Sequence, residues 1–307
     1  MAVPGSVLVT GAAGFIGGRL AAHFRALGAR VFVDVQPGDA GSTRRWPLGD
    51  AALLQATGGA VPDAIIHAAG SGTVAKVAAQ PTLELPANLA AWLAVLQYAQ
   101  AHAPKARVVL LSSAALYGNA PAQPQREGDA RAPVSLYGVA KAQAEQLAAY
   151  YAHQQGLSAT AVRLFSVYGP GLRKQLLWDA MTKFVAAGAG APARFFGTGQ
   201  ERRDWVHIDD VCRFMAALLA LPPTAPFAVY NCAGFAATTA EVLAVLASAA
   251  GAAPPQFTGQ GRAGDPASLV ADCSKAERDL QWRPTVPWAQ GAASYAAWFL
   301  AARGAPA

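Results

Sequence analysis

The sequence predicts an α/β protein, a doubly wound parallel sheet followed by a smaller C-terminal lobe. Three observations predict it. Short β-branched apolar runs alternate with longer stretches of helix formers through the first 165 residues. Continuous apolar strands separated by helices pair in parallel, with both sheet faces covered. A glycine-rich turn, "VTGAAGFIGGRL" (9–20), joins the first apolar run to the first helical stretch. After "YGPG" (168–171) the alternation breaks, and loops rich in Gly and Pro at 188–199, 222–226 and 251–266 separate shorter elements.

Taken in order, the predicted strands are 7–10, 30–34, 64–67, 108–112, 159–165 and 228–231. Each is a short run of apolar or β-branched residues bounded by glycine, polar residues or a helical stretch. Amphipathic helices are expected at roughly 86–102 and 137–154, and "RKQLLWDAMTKF" (173–184) predicts the start of another that lines the ligand cleft. In such sheets the ligand crevice lies outside the carboxyl ends of the strands.

Composition narrows the function classes. The chain has 307 residues, 53% hydrophobic and 14% charged, so it can bury a full core and is not disordered. The net charge is +6, but Lys and Arg form no run longer than Arg44-Arg45 or Arg202-Arg203. That argues against a nucleic-acid partner. No apolar run reaches the ~18 residues of a membrane span, and no basic-then-apolar leader opens the chain. Three widely spaced cysteines without a CxxC pair fit a reducing compartment, the cytoplasm. No metal-ligand spacing stands out.

The glycine turn reads as a dinucleotide site. Gly11 permits the tight turn. Gly14 lets a pyrophosphate approach the helix N-terminus opened by Phe15 and Ile16, and Gly17 lets that helix pack on the strand. The spacing is GxxGxxG. Asp34, at the end of the second strand, can accept hydrogen bonds from an adenosine ribose and would repel a 2′-phosphate. This favours NAD. Arg44 and Arg45 keep NADP open as the alternative.

"SLYGVAK" (135–141) places Tyr137 and Lys141 at i and i+4, on one face of a helix. A phenol titrates near 10 and is a poor base at neutral pH. A neighbouring ammonium and a cationic nicotinamide would stabilise its phenolate, which could then exchange a proton with a substrate hydroxyl.

With the glycine turn, the "LSSAALYGN" strand end (111–119) and the YxxxK helix in this order, the chain resembles the short-chain dehydrogenase/reductase superfamily. Within it, the chain resembles the extended branch of nucleotide-sugar epimerases and dehydratases. "DAIIHAAG" (63–70), "RLFSVYGPG" (163–171), "GTGQERRDWVHIDDV" (197–211) and "GRAGDPASLVADCSKAERDLQW" (261–282) extend the resemblance over nearly the whole chain. It implies a Rossmann domain for NAD at 1–165 plus about 206–233. It implies a nucleotide-sugar lobe at about 166–205 plus 234–307.

The resemblance also implies roles. Ser113 is expected to hydrogen-bond the reacting sugar oxygen, Tyr137 to be the acid/base, and Lys141 to hold the nicotinamide ribose and lower the phenol pKa. Ala68, Ala69 and Asn88 fall beside the cofactor. Arg203 and Arg262 match arginines that clamp the substrate diphosphate, and Ser166 stands where relatives carry Asn. A homodimer through the two amphipathic helices is a further implication.

Members that dehydrate the sugar carry an Asp-Glu pair after the catalytic hydroxyl residue. Here Ala114 and Ala115 stand in that place and cannot move a proton. The resemblance therefore points to a nucleotide-sugar 4-epimerase. A 4-keto-sugar reductase using NAD(P)H is the alternative, and a non-catalytic dinucleotide sensor ranks below both.

Overall fold

A computed structural model describes residues 3–34, 48–70, 73–119, 124–188, 190–260 and 267–304. The first half runs β1 (Ser6–Thr10), α1 (Phe15–Ala26), β2 (Arg30–Val33), α2 (Asp50–Thr57), β3 (Ala64–His67), α3 (Val74–Ala79), α4 (Pro81–His102) and β4 (Arg107–Ser113). It continues with a 3-10 turn (Ala114–Leu116), α5 (Leu136–Gln155) and β5 (Ser158–Leu164). The second half comprises β6 (Ser166–Tyr168), α6 (Gln175–Ala187), β7 (Arg194–Phe195), β8 (Arg202–His207), α7 (Ile208–Ala220) and β9 (Phe227–Cys232). Last come β10 (Phe235–Thr238), α8 (Thr239–Ala249), β11 (Gln256–Phe257), β12 (Ser268–Leu269), α9 (Ser274–Leu280) and α10 (Trp288–Gly304).

The six predicted strands form one parallel sheet in the order β2-β1-β3-β4-β5-β9. Alternate residues of a strand face opposite sides, and both sides are apolar here. Val7, Val9, Ile66, Val109 and Val162 meet Leu20 and Phe24 of α1 and Phe214 and Met215 of α7. Leu8, Ile65, Val108, Leu110 and Ala161 meet Trp92, Val95 and Leu96 of α4 and Ala144 and Ala148 of α5. The two-sided burial explains why the strands read as unbroken apolar runs.

The second half supplies a small sheet in which β8 pairs with β6, β10 and β12. Its helices α6, α8 and α10 share a core of Leu177, Met181, Phe184, Leu246, Tyr295 and Phe299. Three of these strands have two to four residues, and β8, RRDWVH, carries charged residues that break the apolar run a buried strand would show.

Helix α4 starts five residues before the predicted position. Pro81 occupies its first turn and Pro86 lies inside it. Proline suits a first turn because its fixed φ is helical and the missing N–H has no partner there. Pro86 costs a single hydrogen bond, which the burial of Trp92, Val95 and Leu96 offsets. Trp92 also donates Nε1 to the carbonyl of Ala144 at 2.9 Å, locking α4 to α5. Strand β2 ends at Val33, so Asp34 is the first residue beyond it. Among the described residues no helix is long and apolar enough to cross a membrane.

Candidate active site

The sheet order turns back on itself at β1, with β2 on one side and β3 on the other. At the carboxyl ends of β1, β3, β4 and β5 lies a cleft of about 1220 Å³, larger than an ordinary small-molecule pocket. Gly14, Phe15, Ile16 and Gly17 line it from the first turn, Ala68 and Ala69 from the end of β3, and Ser113, Ala114 and Ala115 from the end of β4. Tyr137 and Lys141 enter from α5, and Ser166 and Arg203 face it from the lobe. Arg262, Arg44 and Arg45 lie outside the described residues.

The glycine turn is built for a ligand at the start of α1. Gly11 has φ +74°, and a Cβ there would meet the Ala69 nitrogen at 2.5 Å. A Cβ on Gly17 would collide with the Gly11 carbonyl. The helix opens at the exposed Gly14, and no side chain caps it. Its free N–H groups and positive dipole end can take a phosphate. The Asp34 carboxylate accepts from the N–H of Gly11 at 2.7 Å and of Ala12 at 3.2 Å. These bonds hold the acidic group against the turn. A dinucleotide fits this set: an uncapped helix start for the pyrophosphate and a carboxylate beside it for a ribose.

Asn88 stands next to the β3 turn. It does not line the cleft, and its Nδ2 donates to the Glu84 carbonyl at 2.7 Å. A Cβ on Gly70 would meet Asn88 Oδ1 at 2.5 Å, so Asn88 packs against Gly70, itself part of the cleft wall.

Local sequence sets the catalytic wall. Ser135 caps α5, accepting from the Gly138 N–H at 3.1 Å. Gly138 lets the helix start press on the 3-10 turn, since a Cβ there would lie 2.5 Å from the Ala115 carbonyl. That approach brings the Tyr137 phenol beside the Ser113 hydroxyl on the cleft wall. Ser113 Oγ also accepts from the Ala115 N–H at 3.2 Å. Lys141 Nζ donates to the Leu111 carbonyl at 2.8 Å and stands 5.8 Å from the centre of the Tyr137 ring.

The electrostatics differ from the expectation in one respect. Burial pushes the Tyr137 phenol above its usual value, and the neighbouring Ser113 hydroxyl only partly opposes it. Lys141, tethered to Leu111, is not among the groups that lower it. Lys141 itself is lowered to about 8 by burial, against which the Glu145 carboxylate works. His67, stacked on Trp92 and sharing a 2.8 Å hydrogen bond with Thr10, is lowered to about 3 by burial and by Lys141. It is neutral at pH 7 and structural. Among the described residues no cluster of His, Cys, Asp and Glu could hold a metal ion.

Several wall residues escaped the sequence reading. Phe196, Thr198 and Gln200 line the lobe side, while Lys174 and Gln175 open the cleft-lining α6 that the 173–184 stretch predicts. They sit in loops and helix starts whose direction depends on tertiary packing. Asn231 lies near the end of β9. It accepts from the Tyr117 hydroxyl at 2.7 Å and donates to the carbonyls of Gln125 and Asp272.

Comparison with known proteins agrees with this geometry. Residues 7–233 match the model of the NAD dependent epimerase/dehydratase family. The chain belongs to that family. A Rhizobium meliloti protein named probable UDP-glucuronate 4-epimerase is 36% identical over 176 residues, 57% of this chain. That match spans half the length of the relative. The structure of MoeE5 in complex with UDP-glucuronic acid and NAD superposes with a TM-score of 0.82 at 30% identity, covering 97% of this chain and all of the other. DesIV, a dTDP-glucose 4,6-dehydratase from Streptomyces venezuelae solved with NAD and TYD bound, gives 0.83 at 26% identity, over 97% and 98% of the two chains.

Proposed function

We propose that the protein is an NAD-dependent nucleotide-sugar 4-epimerase. One observation carries the reading: Ser113, Tyr137 and Lys141 share one wall of the cleft, while Ala114 and Ala115 beside them offer no second acid or base. Dehydration requires such a group, and transient oxidation at one carbon does not.

NAD, held by Gly11, Gly14, Phe15, Ile16, Gly17, Asp34, Ala68 and Ala69, supplies a hydride acceptor that returns the hydride. The protein's own residues manage the proton and the pose. Tyr137 phenolate accepts the proton of the sugar 4-hydroxyl, and Ser113 hydrogen-bonds the same oxygen as it becomes a carbonyl. The Lys141 ammonium grips the cofactor ribose, and the cationic nicotinamide would favour the phenolate. The flat 4-keto sugar turns over in the cleft, and Tyr137 returns the proton with the opposite configuration at C4. Arg203 and Arg262 clamp the diphosphate, a task suited to forked guanidinium groups, and Ser166 reaches the sugar or diphosphate.

The names of the relatives support a UDP-sugar, with glucuronate and glucose as the first candidates. The strands at 1–165 and 206–233 would hold the cofactor, and 166–205 with 234–307 the nucleotide sugar. The exposed Leu83 and Tyr150 on α4 and α5 support a homodimer through these helices, which light scattering would reveal. The free thiols of Cys212, Cys232 and Cys273 suit a cytoplasmic setting, which cell fractionation would test.

The test of function is direct. The purified protein is denatured and the supernatant assayed for NAD. Intact protein is then given UDP-, dTDP- and GDP-hexoses and UDP-glucuronate without reductant, and C4 inversion is followed by NMR. Inversion without added coenzyme is expected. Consumption of NAD(P)H by a 4-keto sugar with no inversion would replace the epimerase by a reductase.

A further inference from the structure

Behind the wall that carries Tyr137 and Lys141 lies a buried ion pair that the proposed reaction does not use. Glu145 follows Lys141 by four residues on α5, so both side chains rise from one helical face. Glu145 is 1% exposed and Arg163, on β5, is 2% exposed. Arg163 grips the carboxylate at two points, Nε to Oε1 at 3.0 Å and Nη2 to Oε2 at 2.8 Å. Ser112, the residue before Ser113, donates its hydroxyl to Oε1 at 2.6 Å. The remaining Arg163 nitrogen, Nη1, donates to the Tyr117 hydroxyl at 2.8 Å and the Glu127 carbonyl at 2.9 Å.

Stripping water from two charges is costly, and apolar residues of similar volume often replace such a pair without loss of stability. An apolar pair could not hold the Ser112 hydroxyl, and it could not place an anion one turn below a catalytic ammonium. We propose that Glu145 is a positioning residue for the reaction, its carboxylate clamped by Arg163 so that it orients Ser112–Ser113 and sets an anion one helical turn from the Lys141 ammonium. The inference rests on the epimerase reading of the cleft.

The surroundings of Lys141 leave this role to Glu145. On α5 it is faced by Tyr137 and Glu145, from β4 by Ser113 and the Leu111 carbonyl, and from β3 by the neutral His67. Arg163 holds the carboxylate from β5, and Arg131, ahead of α5, lies 3.6 Å from it. Lys76 of α3 and Glu84 of α4 pair with each other at 3.1 Å. Burial draws Lys141 down to about 8, and Glu145 is the group that raises it. Without the carboxylate the ammonium loses its proton at lower pH.

The experiment is the pH profile of Glu145→Gln, which keeps the shape and an acceptor for Ser112. Expected are a kcat reduced by about tenfold, a KM near wild type, and an alkaline limb displaced downward by about one pH unit, as for the loss of a charge one helical turn away. Arg163 is left unpaired in this variant, so Glu145→Gln/Arg163→Met is measured alongside and should show the same displacement. A folded variant with the wild-type profile overturns the proposal. So does a lower kcat with an unmoved alkaline limb, and so does failure of both variants to fold, which makes the pair a stability element. Absence of inversion by the wild-type protein instead overturns the epimerase reading.

Discussion

Replacing Tyr137 by Phe removes one oxygen from the cleft wall and leaves the packing intact. If that oxygen is the acid/base, kcat falls by about 10²- to 10⁴-fold while KM changes little. A coupled or NMR inversion assay reads this directly, and an unchanged kcat would remove Tyr137 from the chemistry. Lys141 sets the pH dependence. Its ammonium, lowered to about 8, is present below that value and lost above it. Activity should therefore decline on the alkaline side through about 8. Lys141→Met should lose that limb together with most of kcat, as a pH–rate series would show. Tyr137 and Lys141 were legible because their spacing is local. The Glu145–Arg163 clamp was not, because it joins positions 18 apart on α5 and β5 and forms only when the helix packs on the sheet.

At the scale of elements, β8 illustrates how a buried carboxyl ties the lobe together. Asp204 is 4% exposed and accepts from the Ala271 N–H at 2.7 Å, holding the segment after β12 against β8. Burial outweighs that bond and raises the carboxyl to about 6. The folded protein therefore holds this proton more tightly than the unfolded chain. The associated stability is present at acid pH and is lost as pH rises from about 4 through 6. Asp204→Asn keeps an acceptor and carries no charge. Its stability relative to wild type should rise over that window by about 2 kcal/mol, measured by urea unfolding at pH 4.5 and 7. No relative change would show that Asp204 is solvated. The six strands of the main sheet, by contrast, were legible to within a residue or two, because each is a continuous apolar run closed by a turn.

For the whole molecule, the glycine turn, the β3 and β4 ends and α5 converge on one crevice, so ligand binding should stabilise the fold cooperatively. Protein stripped of NAD and then given it back at a hundredfold excess over Kd should gain about 2.7 kcal/mol. Calorimetry of the two forms would show a higher Tm with cofactor, and equal values would show that the turn does not hold it.

The sequence by itself determined the α/β class, the positions of the six main strands, the dinucleotide turn and the Tyr137–Lys141 pair. Each of these is written in local periodicity or short spacing, which a chain carries before it folds. Tertiary structure decided what meets across the cleft. It brought Ser113 to Tyr137, packed Asn88 against Gly70, raised the phenol by burial, and set Arg163 against Glu145. Those outcomes depend on solvent exclusion and on contacts between segments far apart in the chain, which local patterns do not encode.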